Sequence, residues 1–327
     1  MQLYKVHGSE NDFFILDQRQ FSEKLSDGTI DELRQAICPR TTGLLGGADG
    51  ILLVEATTDQ QTLAQMRVIN SDGSEASMCG NGLRTVARYL AEKHHLTSFK
   101  VKTMHGDLSV SQAPAIFNKI ATYQVEISPV SFEPTAIPVN LPSGQYLNQV
   151  LPELSETLRF SIVAVPNPHL ITFVSHEVLE SDLLEKIASK VNQENALFPD
   201  GVNVSFVEIL EENRLFVRTY ERGVGLTNAC GTAMSASSLI YALLQGAKFE
   251  QLITVVNPGG LVQTRVHQRA NGSYWMDLIG NATVTHEITG ELADFLKSEV
   301  NLLKLRETHE QRDYQQFLAA IASAVDC

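Results

Sequence analysis

The sequence predicts an α+β fold of two similar lobes, each with a cysteine where a polar loop becomes a helix. Two observations carry this. Many short β-branched or alternating runs are interrupted by only a few helical stretches, and one set of landmarks recurs in both halves at a constant offset. The length of 327 residues agrees, making roughly two domains at about 150 residues each.

In chain order, the runs at 51–56, 65–70, 98–104, 122–128, 161–167, 202–209, 214–220 and 252–258 read as strands. Stretches 82–95, 177–195 and 231–246 read as helices, and two amphipathic patterns follow near the C-terminus. Between the halves, Pro129, Pro134, Pro138 and Pro142 interrupt a segment that can neither continue a helix nor supply central strands. The expected organisation is a first lobe over 1–145, a second over 146–288 and a helical extension over 289–327.

The recurrence is specific. Asp49-Gly50 maps to Asp200-Gly201, Arg67 to Arg218 and Cys79-Gly80 to Cys230-Gly231 at one offset, while Asn11-Asp12-Phe13 and Asn167-Pro168-His169 correspond at a slightly larger one. Both halves read Asp-Gly, strand, strand with an Arg, polar loop, Cys-Gly, helix, strand and a further Gly.

Charge excludes several function classes. With Lys plus Arg at 25, Asp plus Glu at 38 and a net charge of −13, nucleic acid is not an expected partner, since such binding draws on Lys and Arg against phosphates. No basic stretch suits an anionic membrane, and no apolar run reaches the ~20 residues of a spanning helix. The N-terminal residues lack the pattern of a secretory signal, so a cytoplasmic location is expected. Four cysteines are too few for a disulfide scaffold.

Two of those cysteines stand where a polar loop becomes a helix. Unpaired first-turn amides and the helix dipole favour an anion there, so the thiol pKa is expected to fall and a carboxylate to dock on the following amides. Gly80, Asn81, Gly231 and Thr232 are small or hydrogen-bonding enough for that approach. Two such thiols suit inversion at a carbon α to a carboxylate: a thiolate removes the proton, the other thiol donates one to the opposite face, and amides hold the developing charge. This chemistry needs no cofactor and no metal, and neither cysteine has a CxxC or nearby His partner at zinc-ligand spacing. Cys38, beside Pro39 at a helix end, reads as a small buried hydrophobe; Cys327 carries no motif, and His7 and His105 read as structural.

The blocks HGSENDF at 7–13, NSDGSEASMCGNG at 70–82, PNPH at 166–169, DGVNVSF at 200–206, YERGVGLTNACGT at 220–232 and NPGG at 257–260 together resemble the diaminopimelate epimerase family, in the family's order over residues 1 to about 285. The resemblance implies a fold of two pseudo-symmetric mixed-sheet lobes, each wrapped around a central helix, with the active site in the cleft between them, and interconversion of LL- and meso-diaminopimelate, in lysine and cell-wall precursor biosynthesis, with Cys79 and Cys230 as the acid/base pair. It implies that Asn11, Asn70, Asn167, Asn203 and Arg222 hold the substrate, chiefly its distal end. Gly80-Asn81 and Gly231-Thr232 match the carboxylate-binding helix starts, Glu221 a carboxylate near the reacting ammonium, and His169 and Glu221 positions tied to the chemistry. The expected partner is this small molecule and, for assembly, a second copy in a homodimer, with the tail packed on the core or on the second subunit.

The chain also departs from the family pattern. Ser9-Glu10 replaces a small hydrophobic residue and Gly, Leu226 stands where an acidic residue is common, and Gly50 stands where some members place Gln. These bear on substrate tolerance rather than on the two-thiol chemistry. The alternatives are a related racemase of proline, hydroxyproline or histidine type, and a non-catalytic amino-acid-binding or thiol-switch protein. Against the proline type stand Asn81, where His is usual after the first Cys-Gly, and the Glu221-Arg222 pair.

Overall fold

The computed structural model describes residues 1–133, 135–141, 144–297 and 300–325; Pro134, Pro142 and Cys327 lie outside the described residues. The chain forms two compact units, one from residues 1–125 and 280–327 and one from 126–279. The first therefore draws on both ends of the chain, whereas the sequence reading runs in three consecutive segments.

The first unit contains strands β1 (Gln2–Gly8), β2 (Asn11–Asp17), β3 (Gly50–Glu55), β4 (Ala64–Asn70), β5 (Glu75–Ala76), β6 (Ser98–Thr103), β7 (Gly106–Ala113) and β8 (Thr122–Ile127). Its helices are α1 (Asp27–Ile37) and α2 (Gly80–His94). The second unit contains β9 (Gln149–Val150), β10 (Arg159–Val165), β11 (Asn167–Phe173), β12 (Asn203–Glu211), β13 (Arg214–Glu221), β14 (Gly225–Thr227), β15 (Leu252–Asn257), β16 (Gly260–Gln268) and β17 (Tyr274–Asn281), with helices α3 (His176–Leu179), α4 (Leu183–Asn192) and α5 (Gly231–Gln245). The chain then returns to the first unit with β18 (Thr283–Thr289), α6 (Leu292–Leu296), β19 (Lys304–Glu307) and α7 (Glu310–Val325).

Strand pairing repeats element for element. In the first unit β1–β2 is antiparallel, β2–β3 parallel, β3–β4 and β4–β5 antiparallel, β4–β6 parallel, and β6–β7 and β7–β8 antiparallel. The second unit follows the same order with β10–β11, β11–β12, β12–β13, β13–β14, β13–β15, β15–β16 and β16–β17. Each unit wraps around its longest-buried helix: α2 touches β1, β2, β3, β4 and β7, and α5 touches β10, β11, β12, β13, β15 and β16. Helix α2 is buried on every side from Gly80 through Ala87 and then on one side, at Leu90 and Ala91, while α5 is buried all round through Ala242. Left-handed residues stop both helices, His95 (φ 56°) after α2 and Gly246 (φ 69°) after α5.

The structure corrects several element limits. The helix expected over 177–195 is broken, because the Ser181 hydroxyl donates to the Val178 carbonyl (2.7 Å) and accepts from the Leu183 amide (3.3 Å), offering the backbone a local alternative to the helix. Helix α2 starts at Gly80, two residues ahead of the periodic signal. The sequence reading marks only the end of α1; its start is set by Ser26, whose hydroxyl caps the Thr29 amide at 3.1 Å. The tail is not purely helical: β18 pairs with β1 and β19 with β18, and Ile288, Phe295 and Leu303 enter the core formed by Leu3, Leu16, Ile30 and Leu33.

Asp17 ties β2 to α2. Arg19 holds it through two bonds of 2.9 Å, and Tyr89 and Lys93 each donate at 2.8 Å. Burial pushes its carboxyl upward, but these donors outweigh burial and hold it well below the usual carboxylate range. Stability from this group is therefore present above the unfolded value of about 4 and declines as pH falls toward the native value. Asp17→Asn is expected to lower unfolding free energy by about 2–3 kcal/mol at neutral pH, with the gap closing in acid. Urea denaturation of both proteins at pH near 7 and near 3 checks this; a gap that does not change with pH would contradict it.

Candidate active site

In each unit a cysteine is the N-cap of the central helix. Cys79 precedes α2 in extended backbone (φ −142°) and its sulfur accepts the Gly82 amide at 3.3 Å. The thiol donates to Asn11 Oδ1 at 3.5 Å, and Asn81 Nδ2 donates to the same oxygen at 3.4 Å. Asn11 in turn donates to Asp49 at 2.7 Å, and Arg40 bonds both Asp49 and Asp12. The first unit thus gathers Asn11, Cys79, Gly80 and Asn81. Asn70 is engaged in the β4–β5 turn, where its side chain donates to Ser74 Oγ at 2.9 Å.

In the second unit Cys230 precedes α5 in extended backbone (φ −118°) and is buried at 7% exposure. Its sulfur lies 3.4 Å from Thr232 Oγ1. Burial, then the neighbouring Glu221 carboxylate, push the Cys230 thiol well above its ordinary range; the Thr232 hydroxyl and the Ala233 amide act in the opposite direction and do not overcome them. This overturns, for Cys230, the expectation that the helix start lowers the thiol pKa. Placing a thiolate in a dry setting beside a carboxylate costs more than the Thr232 hydroxyl and the Ala233 amide return.

His169 is fully buried on β11, where it pairs with Asn203 of β12 in parallel register. Its Nε2 contacts Asn167 Oδ1 at 3.0 Å, and its Nδ1 has no hydrogen-bond partner. Burial first, then Arg222, push its pKa down to about 3, so the ring is neutral at physiological pH. Asn203 accepts the Arg222 amide at 2.8 Å, and the Arg222 guanidinium donates to the Asp200 carbonyl at 2.9 Å. The second unit thus gathers Cys230 with Thr232 and Glu221, and Asn167 with His169. Asn203, which pairs His169 across the strands, also bonds Arg222. Among the described residues no three His, Cys, Asp or Glu side chains cluster as a metal site, and no helix is long and apolar enough to cross a membrane.

The departures noted in the sequence have local causes. Ser9 and Glu10 form the two-residue β1–β2 turn with φ of 53° and 64°, a left-handed pair that costs non-glycine residues about 1–2 kcal/mol each. Ser9 offsets part of this by donating its amide to Asn281 Oδ1 at 2.8 Å and accepting Arg84 Nη2 at 3.3 Å. At Gly50 a Cβ would lie 2.1 Å from the Ile69 carbonyl oxygen, so the β3–β4 pairing leaves no room for a side chain. Leu226 is 42% exposed on β14. Cys38 is fully buried, which pushes its thiol up to about 12, and His7 is buried and pushed down to about 4.

Sequence reasoning passed over Arg40, Asp49 as a side chain, and Arg84. Asp49 was visible as a repeat landmark beside Gly50. Arg84 was visible as a charge interrupting the apolar stripe of Leu83, Ala87 and Leu90.

The family model for diaminopimelate epimerase matches residues 3–121 and 161–283. The chain is 58% identical over 322 residues to diaminopimelate epimerase of Enterococcus faecalis, covering 98% of this chain and 99% of that one. It is 54% identical over 324 residues to diaminopimelate epimerase of Ligilactobacillus salivarius, with 98% and 99% covered. Most of the tail is therefore shared with these relatives although the family model stops at 283. In fold the chain is similar to a Bacillus anthracis phenazine biosynthesis protein of the PhzF family (TM-score 0.61, 15% identity, 88% of this chain and 97% of that one). It is also similar to an Agrobacterium vitis hydroxyproline epimerase (TM-score 0.57, 15% identity, 88% and 91%).

If Glu221 suppresses ionisation of Cys230, Glu221→Gln is expected to speed alkylation of Cys230 by iodoacetamide at mildly alkaline pH by about tenfold, one pKa unit. Peptide mass spectrometry reads the rate at that cysteine, and equal rates in the two proteins would remove Glu221 as the cause.

Proposed function

The chain belongs to the diaminopimelate epimerase family, and from that premise we propose that it interconverts LL- and meso-diaminopimelate by thiolate/thiol proton transfer at the α-carbon. The observation that carries the reading is the recurrence of one device: a cysteine at the N-cap of the central helix in each of two units with the same strand order. One thiolate takes the α-proton from one face and the other thiol gives a proton to the opposite face. The reverse reaction needs the exchanged protonation states.

Proton removal leaves enolate-like charge on the α-carboxylate. The first-turn amides after Cys79 and Cys230 are the donors for that charge, and Gly80-Asn81 and Gly231-Thr232 place no bulky side chain over them. Arg222 offers a planar fork to a carboxylate, and Asn11, Asn70, Asn167 and Asn203 supply amide groups for the second amino-acid end. Support for a tuning role of Glu221 comes from its opposition to Cys230 ionisation. His169 is neutral and has an unpaired buried Nδ1, as a group that exchanges hydrogen bonds with substrate requires. The reading extends to a cytoplasmic homodimer that needs neither cofactor nor metal.

Purified protein under reducing conditions, without added pyridoxal phosphate or metal, is expected to convert LL-diaminopimelate in heavy water to α-deuterated meso product. Proline and histidine, offered in parallel, are expected to remain unexchanged; inversion of either in place of diaminopimelate would replace the substrate assignment. Absence of both deuterium and meso product in folded, reduced protein would sink the enzyme reading. Cys79→Ala and Cys230→Ala are each expected to lower inversion about a thousandfold or more with unchanged circular dichroism. Full activity in either would defeat the two-thiol mechanism. Sedimentation equilibrium tests the dimer, and a monomer at micromolar concentration would overturn that part.

A further inference from the structure

Arg84 lies in the second turn of the helix that Cys79 begins and has no exposed surface. Its Nε donates to the Asn281 carbonyl at 3.1 Å and its Nη2 to Ser9 Oγ at 3.3 Å, while Nη1 has no partner. Among the described residues no carboxylate lies within ion-pair distance of it. A buried guanidinium without an acid is costly, and the acceptors it does have are neutral. The titratable groups facing it are Cys79 of its own helix, Tyr314 of α7 and His7 of β1. His7 is neutral at physiological pH, and burial pushes the Tyr314 hydroxyl above its ordinary range. Of these, Cys79 is the one acid that stands on Arg84's own helix, at its N-cap.

The second unit lacks this arrangement. At the repeat offset that maps Cys79 to Cys230, Arg84 maps to Ser235, whose hydroxyl donates to the Gly231 carbonyl at 2.9 Å. Where the Cys79 thiol meets the amide oxygen of Asn11, Cys230 meets a carboxylate, Glu221. One copy of the repeat therefore carries a buried cation and the other an anion.

We infer that Arg84 is a positioning residue for Cys79: its buried charge makes Cys79 the thiolate of the resting pair and Cys230 the thiol, and its bond to Ser9 holds the turn that presents Asn11 to the Cys79 sulfur. Burial lowers the Arg84 pKa only to about 10, so the cation persists at neutral pH. Helix α7 backs the same turn: the Tyr314 hydroxyl bonds Ser9, its ring lies 4.7 Å from that of His7, and Gln311 contacts His7 at 2.8 Å. Glu310 pairs with Arg88 at 2.6 Å, one turn beyond Arg84. The C-terminal helix thus packs behind the turn that Arg84 holds.

The inference rests on the proposed role of Cys79 as a proton-transfer thiol, and its test needs no turnover. Iodoacetamide alkylation of the folded, reduced protein is followed from about pH 5 to about pH 10, with each cysteine read by peptide mass spectrometry. Cys79 is expected to ionise at lower pH than Cys230. In Arg84→Met the Cys79 midpoint is expected to rise by about one pH unit or more, with Arg84→Lys restoring most of the difference. For diaminopimelate inversion, Arg84→Met is expected to lower kcat about tenfold to a hundredfold with little change in KM. A Cys79 midpoint at or above that of Cys230, or one unmoved in folded Arg84→Met, overturns the inference. Should Arg84→Met not fold, the order of the two midpoints in the unsubstituted protein decides. A normal Arg84 effect on Cys79 in a protein that does not invert diaminopimelate would instead fail the functional proposal.

Discussion

Each unit is organised around a helix buried nearly to its first residue, and the first-turn amides of such a helix need acceptors that apolar strands cannot provide. This constraint shapes the rest. The strands that wrap α2 and α5 bring apolar side chains to the helix flanks, so polar groups collect at its start. A cysteine there can cap an amide, as Cys79 does toward Gly82, while remaining available for chemistry. The same exposed amides that must be satisfied in the folded chain are what make the helix start receptive to an anion.

Duplication preserved the pairing order of the strands and let the electrostatics diverge. Main-chain hydrogen bonding depends little on which side chains the strands carry, so β2–β3 and β11–β12 keep the same parallel pairing despite different residues. The surroundings of the two sulfurs are under no such restraint. Arg84 and Ser235 occupy the same step of the repeat, as do two helix starts with different neighbours, an amide at Cys79 and a carboxylate at Cys230. The two thiols of the repeat therefore stand in unequal electrostatic settings.

Legibility in the sequence followed the strength of local signals. The repeat, both Cys-Gly helix starts and strands β3, β4, β6, β8, β10, β12, β13 and β15 were readable because period and spacing survive in one dimension, whereas β16 went unread although its burial alternates. Strand β2 was harder: Phe13, Phe14, Ile15 and Leu16 are all buried, so it shows a continuous run in place of alternation. The split at Ser181 depends on hydroxyl bonds of a kind that many helical serines never make. The raised Cys230 pKa was not readable, because it depends on burial and on Glu221, nine residues earlier in the chain, folding back beside it through β14. The partners of Arg84 lie still farther off, at Ser9 and Asn281, beyond the reach of any local pattern.

The membership of β18, Phe295 and α7 in the first unit has a consequence for biosynthesis. Translation proceeds from the N-terminus and domains fold as units as they emerge. Residues 126–279 are contiguous and can complete their own sheet while the ribosome is still at work, whereas the first unit waits for its last partners. Until those residues leave the exit tunnel, β1 lacks β18, the Ser9 turn lacks Asn281 and Tyr314, and the buried cation beside Cys79 lacks its carbonyl acceptor. Cys230 therefore lies in a unit that is contiguous in sequence, whereas the surroundings of Cys79 are complete only once residues from 280 onward have joined β1 and the Ser9 turn.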